Sequence, residues 1–316
     1  MGKIAFIFPG QGSQSIGMGK DLYENSQAAK NVFETADNNL EMKISKICFE
    51  GPEDDLKQTI NTQPAILTVS IAALEALKEK CNVTPDCVAG HSLGEYSAMY
   101  AAGALDLNSV IKIIAKRAEL MNKAATQTQG AMAAVLGLSQ EKISECLNSM
   151  DSSDIVSVAN YNSPDQTVIT GEINSVNKAM EALKAAGAKR VIPLPVSGAF
   201  HSALMKDASI EFASFINQFE IKNANIPVLT NIDAKATVES PEFKEKMPTQ
   251  IYSSVLWTQT IESMINNGVD TFIEIGPGKV LAGLNKKINS DVTTYNIYDT
   301  ASLNATVEAL KTAQTI

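Results

Sequence analysis

Arginine is almost absent from this chain of 316 residues: of 26 basic side chains, only Arg117 and Arg190 are arginine. Histidine is equally scarce, with only His91 and His201. Two imidazoles cannot build a His-rich metal cluster. Cys48, Cys81, Cys87 and Cys146 show no C-x-x-C spacing, so free thiols in a reducing compartment are expected, with no zinc site and no disulfide. No unbroken apolar run reaches 18 residues, and MGKIAFIFPGQ is interrupted by Pro9 and Gly10 too soon for a signal peptide. A cytoplasmic location without membrane contact is therefore expected. Positive charge is in short supply as well, and a formal net charge of -9 speaks against a nucleic-acid-binding surface.

What is present is an ordinary globular composition, 45% hydrophobic and 19% charged, in a chain long enough for one large α/β domain and a smaller one. The stretch of greatest interest is TPDCVAGHSLGEYSAMYAAG, residues 84–103. A short apolar run, Cys87 to Ala89, meets Gly90-His91-Ser92-Leu93-Gly94, and a helix-compatible run from Glu95 to Ala102 follows. Strand, tight turn and helix give G-x-S-x-G its meaning as a nucleophile elbow, with the Ser92 hydroxyl at the tip of the turn. A plainer reading exists: Ser92-Leu93-Gly94-Glu95 is also an S-x-x-E capping box, which needs no catalytic partner.

The surrounding pattern is that of an α/β protein. KIAFIF (3–8) reads as a buried strand, followed by the glycine-rich loop PGQGSQ and a helix running to about Asn39. Residues 62–80 form an apolar helix with Pro64 near its start, and a further helix over 109–125 follows an N-cap at Asp106 to Ser109. The rhythm then changes. Strands at 132–138, 155–162, 166–171 and 189–196, with helices at 139–150 and 173–187, give the order β-α-β-β-α-β of a ferredoxin-like unit. Residues 127–196 are thus expected to be a small domain inserted into a larger one made of 1–126 and 197–316. The larger domain resumes with a helix at 203–218, a strand at 226–231, a helix near 258–267, a strand at 271–276 and the helix KVLAGLNKKI. Strands so spaced belong in a parallel sheet whose carboxyl edge hosts the site.

A serine needs a base, and His201 in VSGAFHSALM is the better candidate, because His91, adjoining Ser92, should point the opposite way. Arg117 occupies a position that the spacing of Val110, Ile113, Ile114, Leu120 and Met121 assigns to the buried face of its helix. A guanidinium there should face a carboxylate, by default one from the protein, more pointedly one from a substrate. The Leu93 N–H and a donor from Gly10-Gln11-Gly12 are candidates for an oxyanion hole.

Taken together, FPGQGSQ (8–14), TQPA (62–65), GHSLGE (90–95), KRAELM around Arg117, GAMAAVLGL (130–138), NYNSPDQTVITG (160–171), AFHS (199–202) and IEIGPGKVL (273–281) resemble the malonyl-CoA:acyl carrier protein transacylases, the FabD-type acyltransferases. The resemblance runs nearly end to end. It implies an α/β-hydrolase-like large domain with a ferredoxin-like insert, no cofactor or metal, and a monomer that meets malonyl-CoA and acyl carrier protein in fatty acid biosynthesis. It implies ping-pong transfer through a malonyl-Ser92 ester with His201 as base, oriented by the backbone carbonyl of Gln250. The amides of Gln11 and Leu93 would hold the oxyanion, and Arg117 the free carboxylate, with Phe200, Gln63 and Asn162 as further substrate-binding positions. Phe200 matches the malonyl-selective form of its motif, which leaves little room for a 2-methyl group. Asn122 stands where the family pattern has Gln. Lys189-Arg190 and Lys286-Lys287 are candidates for docking an acidic carrier protein. Two other readings compete: a serine esterase or thioesterase sharing the elbow, and a carrier-binding scaffold without catalysis.

Overall fold

The computed structural model describes residues 2–40, 42–196 and 198–314. Burial on both faces marks the first strands, β1 (Lys3–Phe8) and β2 (Cys87–Gly90), as the middle of a parallel sheet covered by helices on either side. Four more strands follow: β3 (Gly130–Leu136), β4 (Val156–Ser163), β5 (Gln166–Glu172) and β6 (Arg190–Pro193). The chain then adds β7 (Val228–Leu229), β8 (Ala236–Thr237), β9 (Val269–Ile275) and β10 (Thr293–Ile297).

Two sheets result. One runs in the order β10-β9-β1-β2-β7-β8 and is parallel except for the edge pair β7 and β8. The other is antiparallel, in the order β4-β5-β3-β6, with helices Gln140–Asn148 and Ile173–Ala185 in its connections. It packs a core of its own that includes Val135, Ile143, Val158, Ile169 and Leu183. Val255, in the stretch before the helix Trp257–Asn266, bridges to β4, where it accepts from Tyr161 and donates to Ala159 at 2.9 and 2.8 Å.

The helix Thr59–Lys80 lies under the first sheet. By length and composition it could cross a membrane, yet 83% of its apolar window is buried inside the protein, so it is a core helix. It begins one turn earlier than the sequence suggests, which leaves Pro64 inside the helix.

Other boundaries moved for physical reasons. The helix expected to run to Asn39 is broken at Ser26, whose hydroxyl accepts from the Ala29 N–H at 3.1 Å and starts a second helix, Gln27–Asn39. The strand expected over 189–196 stops at Pro193, since Pro193 and Pro195 have no N–H to give a ladder. The strand expected over 226–231 is only two residues long and its end becomes a loop. The expected return to the larger unit at Ser197 lies outside the described residues. The helix Ser240–Tyr252 and the final helix Thr300–Gln314 were not anticipated.

Candidate active site

Register places the site. Phe8 pairs with Gly90, so the loop after β1 and the elbow after β2 leave the sheet side by side at its carboxyl edge. His91 N–H donates to the Phe8 carbonyl at 3.0 Å and continues that pairing into the turn. Glycine is required at both ends of the elbow: a Cβ on Gly90 would fall on the Gly94 backbone, and one on Gly94 on the Phe8 carbonyl. Ser92 between them has φ 51°, a left-handed conformation that costs a non-glycine residue about 1–3 kcal/mol and persists only where the surroundings hold it. The helix Gly94–Ala101 has no side-chain cap, so the capping-box reading fails: the Ser92 hydroxyl is turned elsewhere.

It is turned to His201, whose Nε2 lies 2.8 Å from Ser92 Oγ across 109 positions of sequence. On the far side of the ring, Nδ1 faces the Gln250 carbonyl at 2.9 Å and the Ser253 carbonyl at 3.1 Å. Two acceptors there fix the proton on Nδ1 and leave Nε2 free to accept one. Burial first, and the Arg117 charge second, hold the imidazole pKa down to about 3, so the ring is neutral at pH 7. His91 turns away as expected and binds Asn162 Oδ1 at 2.8 Å through Nε2.

Arg117, on the helix Leu107–Gln127, is fully buried. The protein carboxylate expected opposite it is missing: no described residue forms an ion pair with the guanidinium. Instead Nη1 donates to Gln63 Oε1 at 2.7 Å, and Nη2 to Gln250 Oε1 at 3.0 Å and to Ser92 Oγ at 3.2 Å. The Tyr96 ring lies under it, 5.3 Å from Cζ. A cation stripped of water, hydrogen-bonded only to neutral groups and with the Glu95 carboxylate acting on it at longer range, can receive an anion beside the Ser92 hydroxyl. The backbone N–H groups of Gln11 and Leu93 find no acceptor among the described residues, which leaves both open to an oxyanion.

Comparison with known proteins gives the family. Residues 5–314 match the model of the acyl transferase domain family. A malonyl CoA-acyl carrier protein transacylase of Bacillus subtilis is 48% identical over 98% of both chains. The chain belongs to the malonyl-CoA:acyl carrier protein transacylase family. The crystal structure of an acyl carrier protein S-malonyltransferase from Vibrio cholerae superposes with a TM-score of 0.93 at 41% identity, covering 96% of this chain and 99% of that one. A malonyl-transacylase in complex with its type II PKS acyl-carrier protein superposes at 0.94 with 39% identity, over 97% and 99% of the two chains.

In this transacylase, two cavities adjoin, sharing Gln11, His91, Asn160 and Leu194 in their linings. The inner one, about 110 Å³, is lined by Gln63, Arg117, Met121, Met132 and Phe200 together with the Ser92 and His201 pair. The outer one, about 490 Å³, runs between the helix Val280–Ile288 and the antiparallel sheet, past Gln11, Asn160 and Asn162, with Lys279 and Lys287 at its border. Gln63 and Phe200 are therefore in the inner cavity. Asn162 is in the outer one, occupied with His91, and Asn160 is the asparagine that lines both. Of the docking candidates, Lys287 borders the outer cavity and pairs with Asp165 at 3.5 Å. Lys189 lays its stem over Gly137 beside the exposed Arg190, at the start of β6.

Sequence reasoning missed Asn231 and the work of Glu95. Asn231, fully buried, accepts from the Ser92 N–H at 2.8 Å and donates to the Gly90 carbonyl at 2.7 Å. The Glu95 carboxylate accepts the Asn231 N–H at 2.6 Å, and burial pushes its pKa up to about 7. A signal was available: Asn231 closes the run IPVLTN, at the carboxyl end of a strand in a parallel sheet, where site residues gather.

Proposed function

We propose that the chain moves a malonyl group from malonyl-CoA to the pantetheine thiol of acyl carrier protein through an ester on Ser92. His201 Nε2 takes the Ser92 proton as Oγ attacks the thioester carbonyl, and the N–H groups of Gln11 and Leu93 receive the oxyanion. Collapse breaks the C–S bond, and the proton on Nε2 goes to the departing CoA sulfur. In the second half the carrier thiol gives its proton to the same nitrogen and attacks the ester. The tetrahedral adduct then releases Ser92 Oγ, which recovers the proton. The carbonyls of Gln250 and Ser253 stabilise the transient imidazolium in the place an aspartate fills in a serine triad.

One observation carries the reading: Arg117, buried with no ion-pair partner among the described residues and only the longer-range charge of Glu95 nearby, has Nη2 3.2 Å from the candidate nucleophile. A three-carbon diacid esterified at Ser92 would put its free carboxylate there. An esterase would share the serine and histidine but has no use for that charge. Phe200 closes the same cavity, so a 2-methyl substituent should fit poorly. The outer cavity suits the pantetheine arm, and the carrier complex of the similar transacylase supports an acyl carrier protein as acceptor.

The architecture is read in the same terms. The βαββαβ order and the strand order β4-β5-β3-β6 support a ferredoxin-like unit over residues 127–196. The elbow between a parallel strand and a helix supports a hydrolase-like larger unit. The test is intact mass: malonyl-CoA should add one malonyl to the protein, nothing to Ser92→Ala, and 2-methylmalonyl-CoA should load more slowly. Equal labelling of Ser92→Ala would end the proposal.

A further inference from the structure

The elbow is held from outside its own chain segment. Asn231 Oδ1 accepts the Ser92 N–H, and Nδ2 donates to the carbonyl of Gly90, so one amide spans both sides of the residue at φ 51°. The Ser92 carbonyl is taken by Gln250 Nε2 at 3.0 Å, and that nitrogen also reaches Asn231 Oδ1 at 3.2 Å. The grip is reciprocal, because Glu95, in the first turn of the elbow helix, binds the Asn231 backbone N–H. Neither amide can flip. Gln250 Oε1 must face Arg117, which directs its nitrogen to Ser92, and Asn231 must present its oxygen to the two donors and its nitrogen to Gly90. The loop bearing Asn231 is itself pinned, with Thr230 Oγ1 on Asp233 Oδ1 at 2.7 Å and Lys246 on Asp233 at 3.0 Å.

We propose that Asn231 is a positioning residue for acyl transfer: its side-chain amide clamps Gly90 and Ser92, and thereby aims the Leu93 N–H and the Ser92 hydroxyl, while Glu95 anchors the clamp. The next peptide after Ser92 carries the Leu93 N–H, so relaxation of the left-handed turn would swing that donor off the oxyanion. Acyl-CoA binding depends on Arg117 and the cavity walls, which the clamp does not line.

The inference rests on Ser92 being the acylated residue, and one experiment separates the two. Single-turnover loading by malonyl-CoA is followed by quenched-flow mass spectrometry in the wild type, Asn231→Ala, Asn231→Asp, Glu95→Ala and Glu95→Gln. Absence of loading in the wild type would overturn the reading of Ser92 itself. Given wild-type loading, Asn231→Ala should lower the rate roughly 100-fold, the size of losing one oxyanion donor, with KM for malonyl-CoA within about threefold. Asn231→Asp keeps the acceptor for Ser92 but loses the donor to Gly90, and should be nearly as slow. It also serves should the alanine variant not fold. Glu95→Gln retains an oxygen for the Asn231 N–H and should restore most of the rate that Glu95→Ala loses. Wild-type loading rates in either folded Asn231 variant, or a loss carried by KM, would overturn the proposal.

Discussion

The two cavities that adjoin at Gln11, His91 and Asn160 are built on opposite plans. The inner one holds a single charge, Arg117, dry and gripped by neutral amides. The outer one borders on charges that are wet and already shared: Lys287, with 47% of its side chain exposed, pairs with Asp165, and Lys279 lies over the Tyr298 ring at 5.0 Å. A buried charge without a counter-ion holds affinity in reserve for the anion that supplies one, whereas exposed pairs contribute about 0–1 kcal/mol and mainly steer. The inner side should therefore select the acyl group sharply, and the outer side should tolerate different carriers of the thiol.

Removing the inner charge is the hardest blow to that contrast. Truncating one partner of a desolvated charge pair costs about 2–5 kcal/mol, so Arg117→Ala should lower kcat/KM for malonyl-CoA by roughly thirty- to five-thousand-fold. Acetyl-CoA, which has no carboxylate to lose, should change by less than about tenfold on the same scale. Loading rates for the two thioesters decide the matter. An equal fall for both would mean that the guanidinium only supports the fold through Gln63 and Gln250.

The contrast also explains what could be read in advance. Arg117 announced itself because a charge on an apolar helical stripe violates the pattern, and His201 because only two imidazoles were available. The parallel sheet, the glycine-bounded turn at Ser92 and the β-α-β-β-α-β order of the second sheet were legible from hydrophobic rhythm and glycine placement. Asn231 was signalled only by its place at the end of IPVLTN, and the pairing of Glu95 not at all, because glutamate in a first helical turn is an ordinary surface choice and only tertiary pairing makes the two buried partners. Ser253 was hidden for another reason. It contributes through its backbone carbonyl, which no side-chain motif records. The helix Ser240–Tyr252, which brings both Gln250 and that carbonyl to His201, begins with Ser240-Pro241 and has Pro248 within it, a composition that reads as loop.

On the outer side the expected effect is smaller. Reversing Lys279 and Lys287 together to Glu should raise KM for the carrier protein by roughly two- to thirtyfold, in keeping with about 0.2–1 kcal/mol for each of two exposed charges. The effect should fade as salt screens the pair. The same reversal at Lys189 and Arg190, on the start of β6, tests the competing patch. If only that second variant weakens the carrier, docking lies on the antiparallel sheet and the outer cavity admits the arm alone.

The smallest effect expected is in the pH profile. A depressed pKa means that the neutral imidazole of His201, the form able to take a proton, persists as pH falls, so kcat/KM should stay level on its account from about pH 8 to about 5, whereas an ordinary histidine loses half its base form near 6.5. Glu95, pushed up to about 7, titrates in the same window, and Glu95→Gln separates its contribution from that of the ring. His91 adds a weaker push on His201 in the same direction as Arg117. Filling the inner cavity changes the balance, because a malonyl carboxylate offsets the Arg117 charge while burial persists. The acid limb of kcat, which reports the bound complex, should thus lie at higher pH than that of kcat/KM, and acetyl-CoA should leave the two limbs together. A wild-type limb in kcat/KM near pH 6.5 that survives Glu95→Gln would mean that water reaches the ring, and the inner side would be no drier than the outer.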